Sequence, residues 1–277
     1  MKSEHAEAFL KSAYDEVKNL SDKDTWVEDL KANATTGVVP SQWAFKVKAD
    51  SEGRPIRHKG RVVLRGDLQE DDGLDNYSPV SGWPAVRVFL MLAYLMKWVT
   101  ITIDFSNAFA QSDLPKENPV WMHIPRGFRS TLGSDHCLKL QKSLYGHKRA
   151  PQLWFKHVGK AFKKLGLTQS KCDECLWHGK DLVLITCVDD CGTCAPTRER
   201  IDEFNEVVVQ DCKTSFFLVK NAILPRRTRS HDRVRKILVK THANNKQPPK
   251  AKAQPGKVMG KQQRLDLSSE EDDSETK

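Results

Sequence analysis

The fold is decided by one continuous run of the sequence, Leu182-Val183-Leu184-Ile185-Thr186-Cys187-Val188-Asp189-Asp190, which is followed by Cys191-Gly192. Every residue before the two acids is apolar or β-branched, and such a run predicts a buried strand. The strand ends in two adjacent carboxylates beside a turn signal. Paired carboxylates can hold a divalent cation, although Asp-Asp close to Gly is also favourable turn chemistry.

A second β-rich run also ends in an acid, Val99-Thr100-Ile101-Thr102-Ile103-Asp104. If these two strand ends meet in the folded chain, they bring together Asp104, Asp189 and Asp190. Two-metal phosphoryl transfer needs oxygen ligands around two cations that lie about 4 Å apart. The two strand ends together therefore favour a metal-assisted phosphoryl-transfer site.

Eight short blocks follow one another between residue 43 and about residue 208. They are Trp43-Ala44-Phe45-Lys46-Val47-Lys48, residues 58–66, Tyr77-Ser78-Pro79-Val80, residues 103–109, Pro125-Arg126-Gly127-Phe128, Lys142-Ser143-Leu144-Tyr145-Gly146, Ala150-Pro151 with Trp154, and Val188-Asp189-Asp190. In order and spacing, the blocks resemble the reverse transcriptase domain of copia-type retrotransposons. The resemblance covers about three fifths of the chain.

The resemblance implies an α+β fold of polymerase fingers and palm, in which an antiparallel sheet carries helices on one face. Alternating strands and helices with antiparallel hairpins favour the same class. We predict an N-terminal helical segment over 1–35, fingers and palm over 36–224, and a basic tail with an acidic end over 225–277. The thumb and RNase H segments of the family are not recognisable after about residue 212.

Several elements are predicted from local patterns. Pro84 suits a first helical position and predicts a helix to about residue 97, and a second helix is predicted over 151–165. The segment 51–55 predicts a hairpin turn. Residues 175–178 and 191–195 are expected to pair with the strand 182–188 on its two sides.

The resemblance also implies the reaction and its metal ligands. In the family, a primer 3′-hydroxyl attacks the α-phosphate of a deoxynucleoside triphosphate on an RNA or DNA template, with two Mg²⁺ (or Mn²⁺) ions. By motif position, Asp104 and Asp189 would hold the metals and Asp190 would support them. Phe105 would contribute its backbone carbonyl.

Five further residues match the family's nucleotide-binding positions. Phe109 would lie against the sugar and exclude a 2′-hydroxyl, although an aromatic residue there also suits a core position. Lys59, Arg61 and Arg65 would contact the triphosphate as cations. Arg149 stands where the family has Gln, and an arginine there can bind phosphate or block the pocket.

Two further positions depart from the family pattern. Cys187 replaces the Tyr that precedes Val-Asp-Asp, which removes an aromatic surface near the primer end. Gly60 replaces a small Ala and loosens its strand. Together with Arg149 and the missing thumb, these departures predict weak or absent polymerisation by the isolated chain, unless a partner chain supplies the missing domains.

The charge of the chain is concentrated in its tail. The formal net charge is +9, and residues 226–277 carry 14 Lys and Arg against 7 Asp and Glu. Such a tail is an electrostatic footprint for nucleic acid. The longest apolar run, Val88 to Met96, is shorter than the ~20 residues of a membrane span. We expect an intracellular protein of the cytoplasm or nucleus, with reduced thiols among its 7 cysteines.

Two alternative functions stay open. The pairs Cys172/Cys175 and Cys191/Cys194 have the spacing of a four-cysteine zinc ribbon. The predicted hairpins, however, put the two pairs on strands about 9.6 Å apart, at ~4.8 Å per strand step. The second alternative is a non-catalytic nucleic-acid-binding relic, in which the basic tail supplies salt-sensitive affinity.

Overall fold

The computed structural model describes residues 5–130, 132–212, 214–218 and 266–267. Its α-helices are α1 (Ala6–Ser21), α2 (Trp83–Leu95), α3 (Ala150–Lys164) and α4 (Arg198–Asp211). Short 3-10 helices span Lys31–Asn33, Gly66–Leu68 and Ala108–Gln111. The strands are β1 (Trp26–Leu30), β2 (Val38–Val39), β3 (Ser41–Ala49), β4 (Pro55–Leu64), β5 (Val99–Phe105), β6 (Trp121–Met122), β7 (Phe128–Arg129), β8 (His136–Leu140), β9 (Thr168–Gln169), β10 (Leu176–His178), β11 (Val183–Cys187), β12 (Asp190–Ala195), β13 (Thr214–Leu218) and β14 (Asp266–Leu267).

The chain divides into two compact units. The first consists of Met1–Leu74, Asp113–Ala150 and Lys250–Lys277, and the second consists of Asp75–Ser112 and Pro151–Pro249. The predicted tail over 225–277 lies outside the described residues except for β14, which pairs with β7. Within the described ranges, no helix has the length and apolar character needed to cross a lipid bilayer.

The second unit contains an antiparallel sheet in the order β13-β5-β12-β11-β10-β9. The predicted pairing around the strand 182–188 is confirmed, since His178 pairs with Val183 and Val183 pairs with Cys194. Strand β5 ends in Asp104 and lies between β12 and β13. The sheet therefore brings the two acid-bearing strand ends of the sequence to one place.

Helices cover both faces of this sheet, whereas the sequence predicted helices on one face. Phe89 of α2 packs with Val183 and Ile185, and Leu176 lies against the same cluster. The next residue, Trp177, points to the opposite face, because side chains alternate along a strand; its ring lies 5.4 Å from that of Phe162 in α3. A strand that is apolar at consecutive positions can be buried on both sides. The α+β class itself is confirmed.

In the first unit, β3 and β4 form the predicted hairpin. The carboxylate of Asp50 accepts hydrogen bonds from the backbone N–H groups of Glu52 and Arg54, which closes the turn. The first 35 residues differ from the helical prediction, because α1 is followed by strand β1, which pairs with β8. Trp26 at its start is buried, and Trp and Val at the beginning of this segment favour a strand.

A close approach of two backbone segments fixes the base of the hairpin. A Cβ added to Gly146 would lie 2.0 Å from the carbonyl oxygen of Leu64, and one added to Gly66 would lie 2.0 Å from the carbonyl oxygen of Gly146. The N–H of Leu64 donates to the carbonyl of Tyr145 at 2.8 Å. Glycine is therefore required at both positions, and two of the ordered sequence blocks meet here.

Candidate active site

The register of the six-stranded sheet places Asp104 directly opposite Asp190 on β12. Residues that face each other across two antiparallel strands have Cβ atoms about 4.5–5.5 Å apart and share a face. The N–H of Phe105 donates to the carbonyl of Asp189 at 3.1 Å. All three acids are partly exposed. The sheet thus holds the three predicted carboxylates at one end, within reach of solvent.

A two-residue turn carries the second acid. Cys187 pairs with Asp190, so Val188 and Asp189 form the turn. Val188 has a φ of +57°, which is an unfavourable conformation for a β-branched side chain. The indole N–H of Trp154 donates to the carbonyl of Val188 at 2.7 Å. This bond connects α3 to the turn and helps to hold the strained residue in place.

Trp154 belongs to one of the ordered sequence blocks, but the sequence did not predict that it supports the turn. Its side chain is 1% exposed, and its ring centroid lies 5.0 Å from that of Phe105. A buried indole N–H needs an acceptor, so the chemistry predicts a partner without identifying it. Trp154 therefore contacts the neighbours of two acids, Phe105 beside Asp104 and Val188 beside Asp189.

Phe109 lies in the 3-10 helix that follows β5. Asn107 precedes this helix in a left-handed conformation, with a φ of +51°. The side-chain amide of Gln111 donates to the carbonyl of Ser106 at 2.8 Å and closes the bend. Phe109 is 9% exposed, which suits a core residue; its predicted contact with the sugar stays a prediction.

The donor set suits a hard cation, because carboxylate and carbonyl oxygens are the ligands that Mg²⁺ prefers. In the part of the chain that the structure describes, no group of three or more His, Cys, Asp or Glu side chains is arranged to hold a metal ion. Asp189 lies in the turn, whereas Asp190 is the first residue of β12. The backbone gathers the acids, but the side chains do not form a closed cluster.

The predicted triphosphate-binding residues lie in the first unit. Lys59 and Arg61 are two apart on β4 and so share a face. The guanidinium of Arg61 lies 4.8 Å from the centroid of the Tyr145 ring, a cation–π contact that holds it in place. Arg65 instead forms a two-contact pair with Asp67, at 2.8 and 2.6 Å. Arg61 is therefore the better placed of the two arginines.

Arg149 lies beside a buried histidine. Burial and, to a smaller extent, the positive charge of Arg149 lower the pKa of His147 to about 4, while Asp72 opposes the change. The Oγ of Ser143 lies 3.3 Å from the Nδ1 of His147. The Nε of Arg149 is buried and has no hydrogen-bond partner in the described structure. These contacts do not test the predicted role of Arg149 at the nucleotide.

The cysteines of the zinc hypothesis flank β11. The N–H of Thr186 donates to the carbonyl of Cys175 at 2.9 Å, and Thr186 pairs with Cys191 on its other side. Burial raises the pKa of Cys175, Cys191 and Cys194 to about 12. The two pairs lie on opposite sides of β11, and this separation disfavours a shared zinc ion with ~2.3 Å bonds to sulfur.

Comparison with known protein families gives the class of the chain. The family described as reverse transcriptase (RNA-dependent DNA polymerase) matches residues 24–228. That match covers most of the sequence, and the chain belongs to this family. The resemblance drawn from the ordered blocks is confirmed.

The more specific relatives are transposon polyproteins. The chain is 30% identical over 182 residues to the retrovirus-related Pol polyprotein from transposon TNT 1-94 of Nicotiana tabacum, covering 59% of this chain and 13% of that protein. It is 32% identical over 159 residues to that from transposon RE1 of Arabidopsis thaliana, covering 55% and 11%. The truncated transposon Ty1-A Gag-Pol polyprotein of Saccharomyces cerevisiae is 27% identical over 192 residues, covering 66% and 15%. These are copia-type elements, and the chain spans only 11% to 15% of their lengths.

A solved structure is also similar. The foamy viral protease-reverse transcriptase in complex with double-stranded DNA is 14% identical, with a TM-score of 0.41. The similarity covers 74% of this chain and 30% of that chain.

Proposed function

We propose that this chain provides the fingers and palm of an RNA-directed DNA polymerase of a copia-type retroelement, with Asp104, Asp189 and Asp190 as its catalytic carboxylates. The observation that carries the proposal is the sheet register. It sets Asp104 opposite Asp190 and bonds Phe105 to the carbonyl of Asp189. Family membership supports the class of reaction, and the register supports the choice of residues.

The proposed reaction joins a primer to an incoming deoxynucleotide. The primer 3′-hydroxyl attacks the α-phosphate. The bond between the α-phosphorus and the oxygen that bridges it to the β-phosphate breaks, and pyrophosphate leaves. Two Mg²⁺ ions, when bound, lower the charge cost at the attacking and leaving oxygens. Asp104 and Asp189 would hold them with the carbonyl oxygen of Phe105, and Asp190 would support this set.

The nucleotide-binding residues of the proposal are those that match the family's positions. Lys59 and Arg61 contact the triphosphate, and Phe109 lies against the sugar. Arg65 contributes only if it exchanges Asp67 for phosphate. Because that pair is solvent-exposed, the two side chains can separate at little cost. Arg149 is the remaining cation of this set.

The test is Mg²⁺-dependent primer extension at a high ratio of protein to primer, on RNA and on DNA templates. Asp104→Asn and Asp189→Asn should each reduce extension by about 10²-fold or more, because each removes a charge that the transition state needs. Asp135→Asn is the control, since Asp135 is an exposed acid of the first unit. Equal extension by native protein and by Asp189→Asn would refute the assignment.

One observation favours a second candidate, a nucleic-acid-binding protein without catalysis. The three acids do not form a closed cluster in the described structure. A binding-only protein would retain primer–template in an electrophoretic assay, show no extension, and be indifferent to Asp189→Asn. A polymerase would retain primer–template in the Asn variant but lose extension.

A further inference from the structure

One acid of α1 is buried, whereas its neighbour is not. Glu16 is 7% exposed, and the adjacent Asp15 is exposed. A carboxylate is expensive to remove from water unless hydrogen bonds and opposite charges compensate. The groups that compensate the burial of Glu16 therefore indicate the role of this residue.

Helix α1 supplies two acceptors to the free edge of β4. The N–H of Gly60 donates to the hydroxyl of Ser12, and the N–H of Val62 donates to the carboxylate of Glu16. Four helical residues rise about 6 Å, and two strand residues rise about 6.6 Å. Acceptors one helical turn apart thus match successive outward N–H groups of the strand.

The second carboxylate oxygen is buried in the field of three cations, Lys59, Arg61 and Lys23. The Oε1 of Glu16 is buried and has no hydrogen-bond partner in the described part of the chain. Burial raises the pKa of Glu16, while the charges of Lys59 and Arg61 oppose that rise. The Nε of Arg61 is likewise buried and has no hydrogen-bond partner within the described residues. One buried anion therefore lies at the edge of β4, close enough to the two cations that flank Gly60 to act on them electrostatically.

We propose that Glu16 is a positioning residue for nucleotide binding: from α1 it fixes Lys59 and Arg61 on β4 in the orientation that receives the triphosphate. This inference rests on the proposed function, in which those two cations bind the nucleotide. The geometry behind it is the buried, half-satisfied carboxylate on the strand edge and the guanidinium held over the Tyr145 ring.

Glu16 also offsets the repulsion between two like charges. Burial lowers the pKa of Lys59, and the charge of Arg61 lowers it further, whereas Glu16 raises it. Without the carboxylate, the two cations repel each other across one intervening residue and can move apart. Simple long-range electrostatics predicts the opposite result, namely that removal of a negative charge strengthens binding of an anion. The sign of the change therefore separates positioning from bulk charge.

The experiment measures the affinity of the full chain for a fluorescent deoxyadenosine triphosphate with Mg²⁺ by equilibrium titration. Glu16→Gln keeps the acceptor for Val62 but removes the charge, and should weaken binding about tenfold, the effect of a buried group left without its partner. Glu16→Asp keeps the charge and should bind within about threefold of native protein. Asp15→Asn makes the same change of charge on the exposed neighbour and should leave the affinity unchanged.

A double-variant cycle shows whether Glu16 acts through Arg61. In an Arg61→Gln background, Glu16→Gln should add less than about a twofold loss, because coupled residues are not additive. Unchanged or tighter binding by Glu16→Gln, or an equal loss in both backgrounds, would overturn the inference. Thermal unfolding of each variant identifies loss of folding. If Glu16→Gln does not fold, Glu16→Asp decides the question: nucleotide binding as weak as that of Arg61→Gln would also overturn the inference.

The same data separate this inference from the proposed function. If Arg61→Gln itself leaves nucleotide affinity unchanged, the proposed nucleotide site fails, and the role of Glu16 fails with it. If Arg61→Gln weakens binding but Glu16→Gln does not, only the role of Glu16 is refuted.

Discussion

Gly146→Ala is expected to destabilise the first unit severely. The added Cβ would lie 2.0 Å from the carbonyl oxygen of Leu64 and 2.7 Å from the Cγ1 of Val63, and Gly146 has a φ of +85°. The left-handed conformation costs an alanine about 1–2 kcal/mol. Relief of the contact must also move the Leu64 carbonyl, which endangers the hydrogen bond between Leu64 and Tyr145 at a cost of about 1–3 kcal/mol. The total is about 2–5 kcal/mol, a large part of the stability of a typical domain.

The assay is urea unfolding followed by tryptophan fluorescence, because Trp26 and Trp121 are buried in the first unit. Gly127→Ala is the matched control. Gly127 also has a positive φ, of +90°, but nothing lies within 4 Å of its added Cβ, so it measures backbone strain alone at about 1–2 kcal/mol. If Gly146→Ala loses no more stability than Gly127→Ala, the close approach of the two backbone segments is refuted.

Two further predictions concern the turn and the buried histidine. Trp154→Phe should lower the free energy of unfolding by about 1–2 kcal/mol, since it leaves the Val188 carbonyl without its donor. It should also lower primer extension more than primer–template binding. Unchanged stability would show that the hydrogen bond from the indole is unimportant. Because burial, aided by Arg149, lowers the pKa of His147 to about 4, the unfolded chain binds the proton more readily. The contribution of His147 to the free energy of unfolding is therefore complete above pH 6.5 and is lost as the pH falls towards 4. At pH 5 the free energy of unfolding should be lower by about 2 kcal/mol. His147→Asn should flatten this part of the stability profile measured by urea unfolding, and an unchanged slope would contradict the assignment.

The sequence predicted the elements that depend on local chemistry. Signals within a few residues mark the strand that precedes Asp189, its two partner strands and the turn at Asp50. Strand β1 was missed because it is five residues long and follows directly on a helix. Its partner β8 lies more than 100 residues further along the chain, so nothing local identifies the pairing.

In the candidate site, too, local patterns predicted the residues but not the pairing of the strands that carry them. The acids at 104, 189 and 190 were predicted as a group because each ends a β-rich run or follows one. The register that sets Asp104 opposite Asp190 depends on how β5 and β12 pair, and no local pattern fixes it. Glu16 was not singled out, because α1 looked like an ordinary polar helix. Its burial follows only from the contact with β4.

Strand β5 has a hydrogen-bonded neighbour on each side, since Asp104 pairs with Asp190 on β12 and with Ser215 on β13. Local opening of a protein begins where backbone hydrogen bonds face solvent and ends in strands that are paired on both sides. Short β9 at the rim can therefore fray while the amides near Asp104 stay protected against hydrogen exchange. The carboxylate end of β5 belongs to the part of the sheet that opens last.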